Sequence, residues 1–135
     1  MYLKFISHIM LSLIIVSTAS AADNPLRREL SDLWQFQYYD ADNRVVAVGH
    51  SLYQLDGTFR VSAYYPDSRQ QWKEAHYAGT WKLDGRKMTM EIVSTSNATE
   101  FPPKQPLTVE ILEVTDKYYR YRLPNGIILK ECRIK

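Results

Sequence analysis

Residues 77–92, YAGTWKLDGRKMTMEI, carry the pattern that decides the fold. Apolar or small side chains alternate with polar ones on both sides of Asp84-Gly85, a dipeptide that two-residue β-turns favour. Closing a hairpin at this dipeptide places Trp81 opposite Met88, so apolar residues share one face of two antiparallel strands. The segment therefore predicts a β-hairpin with one buried face.

Two further dipeptides, Asp56-Gly57 and Asn125-Gly126, predict hairpins of the same kind. A two-residue turn at the first directs His50 to the inward face. A two-residue turn at the second places Lys130 opposite Tyr121, also on the inward face. The same spacing leaves a pair of opposite charges, Arg120 and Glu131, on the outer face, and it turns Arg133 outward.

The connection at residues 115–117 does not fit a two-residue turn. Such a turn would place Val109 and Ile111 opposite arginines on the following strand. A three-residue loop, or a bulge with the same effect, instead places Ile111 opposite Tyr121. We therefore expect one of these two irregularities here.

Eight segments show the alternation of β-strands, and turn residues separate them. An up-and-down meander of eight antiparallel strands can close into a barrel that has no free edges. Residues 24–30 predict a short helix before the first strand, because Asn24 can cap it and Pro25 suits its first turn. The predicted strands are residues 33–39, 44–54, 58–65, 76–83, 86–93, 107–114, 118–123 and 127–134.

Connection lengths predict that the two ends of this barrel differ. Short turns follow the second, fourth and sixth strands, and all of these turns lie at one end, where the helix also enters. The long connections, residues 66–75 and 94–106, lie at the opposite end. The sequence therefore predicts a closed end and a mouth that is rich in loops.

Taken together, the helix, the eight-strand meander and the turn segments 55–59 and 79–85 resemble the lipocalin-like, or calycin, barrels of small secreted bacterial proteins. The chain departs from their glycine-x-tryptophan opening, since residues 31–34 read SDLW. In larger lipocalins a late basic residue packs on that tryptophan, and Arg133 is the nearest candidate. The resemblance implies the barrel fold and a general role in ligand binding or interaction.

The first 21 residues have the features of a secretory signal peptide. Lys4 supplies a basic start, an apolar stretch follows, and residues 19–21, ASA, form a small-residue cleavage site. We expect residues 22–135 to form the mature domain, secreted or periplasmic, with no membrane span after cleavage. Cys132 is the single cysteine, so an internal disulfide is impossible, and its apolar strand pattern predicts burial.

Composition argues against several classes of function. The 135-residue chain has a formal net charge of +2 and no basic block, which argues against nucleic-acid binding. The spacing of histidine and cysteine residues predicts no metal site, and no glycine-rich phosphate loop or G-x-S-x-G motif is present. We therefore expect no cofactor and no enzymatic activity.

Small-ligand binding is the first functional expectation. The predicted inward face is rich in aromatic residues, which either fill the barrel or leave a shallow pocket near the mouth. A buried lysine needs a partner, and a ligand carboxylate, a tyrosine oxygen, Glu113 or a water molecule could serve. The predicted ligand-binding residues for a small apolar or amphipathic molecule are Lys130, Tyr121, His50, Trp81 and Tyr38.

Protein binding at the mouth is the alternative. Trp72 and Phe101 lie in the two long connections, the second of which contains three prolines. Exposed aromatic residues on stiffened loops are typical anchors for a protein partner, here another exported protein that the domain would inhibit or bind in the manner of an immunity protein. The other interpretation is that both rings fold back over the mouth as a lid.

Overall fold

The structure, a computed structural model, describes residues 24–135 as one short helix and a closed antiparallel barrel of eight strands. Each strand pairs with the next in sequence, and the eighth pairs with the first. The predicted all-β barrel is therefore confirmed, while the predicted signal peptide lies outside the described residues. The elements are α1 (Pro25–Leu30), β1 (Leu33–Tyr39), β2 (Val45–Tyr53), β3 (Thr58–Pro66), β4 (Trp72–Asp84), β5 (Lys87–Thr95), β6 (Leu107–Val114), β7 (Tyr118–Arg122) and β8 (Ile128–Arg133).

The helix α1 closes one end of the barrel. Asn24 caps it, because its side-chain oxygen accepts a hydrogen bond from the Leu26 N–H at 3.0 Å. Leu30, on the inner face of the helix, is completely buried. Among residues 24–135, no helix is long and apolar enough to span a membrane.

The β2–β3 hairpin has a three-residue loop, not the predicted two-residue turn. Gln54 N–H donates to the Thr58 carbonyl at 2.9 Å, and Gly57 closes the loop with a φ of 88°. The extra residue pairs Ser51 with Val61 and moves the alternate residues of β2 to the inside. The predicted inward orientation of His50 is therefore wrong, since this side chain is exposed.

The β7–β8 hairpin departs from the prediction in the same way. Leu123 N–H donates to the Ile127 carbonyl at 2.8 Å around a loop that ends at Gly126, whose φ is 89°. One extra loop residue reverses the two faces of β8. Glu131 is therefore buried, whereas Lys130 and Cys132 are exposed.

That reversal corrects four predictions on β8. Lys130 does not point inward, and Cys132 is not buried. The expected surface pair of Arg120 and Glu131 does not form, since Arg120 pairs with Glu113 at 3.0 Å. Arg133 does not turn outward but lies over the Trp34 ring, with 4.4 Å between the guanidinium carbon and the ring centroid.

The β4–β5 hairpin keeps its predicted faces but not its predicted register. Leu83 pairs with Met88, and Trp81 pairs with Met90 and not with Met88. The turn is centred on Gly85, whose φ is 59°, and on the residue after it. A positive φ at the first central position alone is typical of a type II′ turn. Because this turn lies one residue later than predicted, the residues of β4 near the turn pair with β5 residues two positions further along the chain. Trp81 and Met88 remain on the inner side, because a shift of two residues keeps every side chain of a strand on the same face.

The β6–β7 connection confirms the second of the two expected irregularities. Ile111 pairs with Tyr121 as predicted. The register shifts between Ile111 and Glu113, which is a bulge, and the turn itself is short, because Thr115 N–H donates to the Tyr118 carbonyl at 2.8 Å. The bulge keeps apolar residues of both strands on the inside.

Candidate functional site

A cavity of about 360 Å³ lies in the half of the barrel nearer the mouth. The opposite half is filled by fully buried side chains, among them Trp34, Met88, Val109 and Ile111. The expectation of a filled interior is therefore met in the closed half alone. A cavity of this size is at the lower end of the range for small-molecule sites.

Aromatic residues form a large part of the cavity wall, and the remainder is aliphatic apart from a few polar side chains. They come from five strands and from the loop between β5 and β6, because inward-facing positions recur at every second residue of each strand. The aromatic residues of the wall are Phe36, Tyr38, Tyr53, Phe59, Tyr65, Tyr77, Phe101 and Tyr121.

Phe101 covers part of the mouth. Its ring stacks on Tyr77, with 4.6 Å between centroids and 21° between planes, and meets Tyr65 edge-on at 5.8 Å. The Asn97 amide donates to the Tyr65 hydroxyl at 2.5 Å, and the Asn97 carbonyl accepts from the Phe101 N–H at 2.9 Å. For Phe101 the lid interpretation is therefore the one that the geometry favours.

Glu131 places a carboxyl group in the cavity wall. The residue is 2% exposed, and its Oε2 accepts a hydrogen bond from the Tyr119 hydroxyl at 2.6 Å. Its other oxygen, Oε1, is buried without a hydrogen-bond partner. Burial raises the pKa of this carboxyl, because the ionised form loses its hydration, and the hydroxyls around it offset that effect incompletely.

A pair of tyrosines adjoins this carboxyl. The hydroxyl oxygens of Tyr38 and Tyr121 are 2.5 Å apart and share a hydrogen bond. Burial raises the pKa of both phenols far above the ordinary tyrosine range. The negative charge of Glu131 is the second largest cause of this rise. Both phenols are therefore neutral hydrogen-bonding groups at physiological pH.

Solved structures share this architecture. A lipocalin-like protein from Bacteroides uniformis is 18% identical in sequence, with a TM-score of 0.55, and the match covers 78% of this chain and 99% of that one. The fold is lipocalin-like. An uncharacterized protein from Bacteroides eggerthii matches to the same extents, with 18% identity and a TM-score of 0.52. No protein-family model and no curated protein matches the sequence.

The lipocalin-like barrel brings together two of the five predicted ligand-binding residues. Tyr38 and Tyr121 line the cavity. Trp81 does not, because it lies at the closed end, where its indole N–H donates to the Gln54 carbonyl at 2.9 Å. His50 and Lys130 lie on the outer face.

The two residues predicted to bind a protein partner differ in their burial and in their place in the fold. Phe101 packs into the mouth of the barrel, as described above. Trp72 is instead the first residue of β4, paired with Pro66, and it is 52% exposed. A continuous aromatic surface built from both side chains is therefore not formed.

Three polar residues on the strands of the cavity wall were missed by the sequence analysis: Ser51, Tyr53 and Glu131. All three lie on strands whose faces were reversed by the extra loop residues before Gly57 and Gly126. A dipeptide ending in glycine fits a two-residue turn as well as a three-residue loop that ends in a glycine bulge. Pro124, which suits the first central position of a type I turn, was a local signal for the longer loop before Gly126, whereas Leu55 gave no such signal.

A serine–histidine–glutamate contact occurs on the outer wall of the lipocalin-like barrel. Ser62 Oγ is 3.0 Å from His76 Nδ1, and His76 Nε2 is 2.8 Å from a carboxyl oxygen of Glu74. The side chains of His76 and Glu74 are exposed, and the backbone N–H of His76 donates to Ser96 Oγ at 2.8 Å. The contact lies on an open outer wall where β3 and β4 are each paired on both sides. No three His, Cys, Asp or Glu side chains among residues 24–135 are grouped as metal ligands.

Proposed function

We propose that this chain is an exported binding protein that holds one small apolar or amphipathic ligand in the mouth half of its barrel. The observation that carries the proposal is the cavity of about 360 Å³ with its mostly apolar, aromatic wall. Apolar concave sites with a few polar groups are the usual form of small-molecule sites, and the mouth of a β-barrel is a common place for them.

Binding fits the cavity better than catalysis does. The polar groups that line it are one carboxyl, hydroxyls and the Gln105 amide. Burial keeps the Tyr38 and Tyr121 phenols neutral, and it likewise favours the neutral form of the adjoining Glu131 carboxyl, a form that does not act as a base for activating a hydroxyl. We therefore propose a reversible binding role without a chemical step.

A cavity-filling variant tests this function. Ala47 lies on the inner face of β2 in the cavity wall, while the next residue, Val48, lies on the outer face of the same strand. Ala47→Phe should fill part of the cavity, and Val48→Phe adds similar bulk outside. The probe is N-phenyl-1-naphthylamine, an uncharged aromatic dye whose fluorescence rises in an apolar site.

We expect saturable one-to-one dye binding by the wild-type domain, residues 22–135. Ala47→Phe should weaken binding by about tenfold or more, since one or two lost apolar contacts are each worth about 1 kcal/mol. Val48→Phe should bind as the wild type does. Absence of dye binding to the wild type, or equal binding by both variants, would contradict the proposal.

Export is a separate part of the proposal. It is supported by the basic, apolar and small-residue order of residues 1–21. Expression of the full chain in a Gram-negative host should yield a mature protein beginning at Ala22 or Asp23, detected by N-terminal sequencing of the periplasmic fraction. A product that keeps Met1 in the cytoplasm would contradict export.

A protein-binding role remains a second candidate because Trp72 is 52% exposed. It has less support than ligand binding, since Phe101, its expected companion, packs on Tyr77 inside the mouth. Under the primary proposal, Trp72→Ala should leave dye affinity unchanged. A large loss of dye binding in Trp72→Ala would show that the outer residues take part in the site.

A further inference from the structure

The unpartnered oxygen of Glu131 points to the chemistry of the ligand. Buried polar atoms are almost always hydrogen-bonded, because an isolated buried carboxyl loses its hydration and gains nothing in return. The hydroxyls of Ser51, Tyr38 and Tyr121 lie near enough to favour the ionised carboxyl, yet none forms a hydrogen bond of ordinary geometry with Oε1. The cavity wall therefore contains an acceptor whose hydrogen-bonding capacity is unused.

Among the described residues, the cavity wall supplies no positive charge to compensate this carboxyl. In the described part of the chain, no lysine, arginine or histidine lines the cavity. The two basic neighbours of Glu131 on β8 are used elsewhere. Lys130 lies on the outer face, 5.5 Å from the Tyr118 ring centroid, and Arg133 forms an ion pair with Asp32 at the closed end.

The aromatic wall, like the Glu131 carboxylate, favours a positively charged ligand. The faces of phenyl and phenol rings attract cations, and the attraction is stronger where water is excluded. Phe36 and Tyr38 stack at a centroid distance of 4.9 Å beside the Tyr38–Tyr121 hydroxyl pair. Ring faces and a carboxyl thus lie in one apolar cavity.

We infer that the cavity takes an amphipathic ammonium compound, with its charged nitrogen held by Glu131 and its apolar body held between the aromatic rings. This inference rests on the proposed ligand-binding function and names its ligand class. A carboxylate ligand is disfavoured, because it would bring a second negative charge beside Glu131 with no cation to balance either one. A neutral alcohol could donate a single hydrogen bond but would leave the carboxyl charge uncompensated.

Binding of such a ligand is coupled to the protonation of Glu131. The free protein holds the carboxyl in its neutral form to a higher pH than usual, whereas the complex needs the ionised form. Affinity for an ammonium ligand should therefore rise with pH until Glu131 is ionised in the free protein. In the part of the chain that the structure describes, the groups that face this carboxyl are neutral hydroxyls: Ser51 and Tyr53 on β2, Tyr38 on β1, Tyr77 on β4, and Tyr119 and Tyr121 on β7.

Three probes with one apolar body test the inference: 4-phenylbutylamine, 4-phenyl-1-butanol and 4-phenylbutanoate. Isothermal titration calorimetry measures their affinities for the wild-type domain from pH 4.5 to 9, where the amine stays charged. We expect the amine to bind about tenfold to a hundredfold more tightly than the alcohol at pH 8, as a charge-assisted hydrogen bond implies. The alcohol should show no comparable rise of affinity with pH.

Two variants make the comparison specific. Glu131→Gln keeps the shape of the side chain but removes the charge, so we expect it to abolish both the preference for the amine and its rise with pH. Glu110→Gln is the matched control, since Glu110 is an exposed glutamate on β6 that pairs with Arg122. It should retain the wild-type preference.

Each contrary result has a defined meaning. Equal affinity for amine and alcohol, or an amine preference that persists in Glu131→Gln, would overturn the inference and leave ligand binding intact. Tighter binding of 4-phenylbutanoate would do the same and indicate an anionic ligand. If none of the three compounds binds but N-phenyl-1-naphthylamine does, only the inference fails, whereas failure of all four probes overturns the proposed function as well.

Discussion

The closed end and the mouth of this barrel are built from the same kinds of side chain but pack in different ways. At the closed end two tryptophans are enclosed completely. The Trp34 indole N–H donates to the Leu30 carbonyl at 2.9 Å under Arg133, and Trp81 lies under Arg27, 4.9 Å from its guanidinium carbon. At the mouth, aromatic rings line a cavity of about 360 Å³.

The difference shows how stability and binding are divided along the barrel axis. At the closed end, α1 supplies Leu30 to the core and Arg27 to the turn, where the guanidinium donates to the Leu55 carbonyl at 2.8 Å. At the mouth, the loop between β5 and β6, which carries the half-buried Phe101, covers part of the cavity. A well-packed end can hold the barrel while the other end keeps a cavity, which costs stability because its walls lose contacts.

Truncation of Trp34 should produce the largest effect. Trp34→Ala removes a fully buried ring and is expected to lower the free energy of unfolding by about 3–5 kcal/mol. Phe101→Ala, at the mouth, should cost about 1 kcal/mol, since that ring is half exposed. Urea denaturation followed by circular dichroism measures both. Equal losses would mean that the two ends do not differ in their contribution to stability.

Arg133 and Lys130 offer a sharper comparison on one strand. Arg133 stacks on Trp34, pairs with Asp32 and donates to the Thr115 carbonyl at 3.1 Å. Arg133→Met should lower the free energy of unfolding by about 2 kcal/mol. Lys130→Met should change it by less than about 0.5 kcal/mol, because Lys130 is an exposed side chain. If Lys130→Met lowered the free energy of unfolding more than Arg133→Met did, the result would favour the register predicted from a two-residue turn.

Glu131 makes the stability of the mouth half depend on pH. Its pKa is higher in the folded state than in the unfolded chain, so the folded protein binds the extra proton and becomes less stable as pH rises above about 4.3. The loss should continue up to the folded pKa, at about 1.4 kcal/mol for each unit of pKa difference. Glu131→Gln should remove this slope and be more stable than wild type at pH 7, measured by urea denaturation between pH 4 and 8. A wild-type slope that survives in Glu131→Gln would assign it to another group.

The smallest expected effect concerns the lid. Asn97→Ala removes the hydrogen bond to the Tyr65 hydroxyl and should change the free energy of unfolding by less than about 1 kcal/mol. It should nevertheless speed dye exchange, because the loop that carries Phe101 is held less firmly. Stopped-flow fluorescence with N-phenyl-1-naphthylamine measures the dissociation rate. Thr99→Ala, in the same loop, is the control, and equal rates in both variants would count against the anchoring role of Asn97.

The sequence predicted much of the architecture but less of the site. Alternation of apolar residues identified the strands, and every aromatic residue expected inside is inside, including Phe36, Tyr77 and Tyr121. The cavity carboxyl was missed because inward orientation on β8 depends on a single loop residue near Gly126. One extra residue in a β-turn exchanges the inward and outward faces of the following strand. The position of that strand in the sequence is still predicted correctly.

An antiparallel barrel with a closed end and a mouth could be predicted from the residues alone. Local periodicity, turn residues and loop lengths are sufficient for that, because each acts over a few residues. Three features became known from the folded chain alone: Glu131 faces the cavity, Arg133 covers Trp34 and Phe101 folds over the mouth. Those facts depend on loop conformation and on contacts between distant strands, which no local pattern encodes.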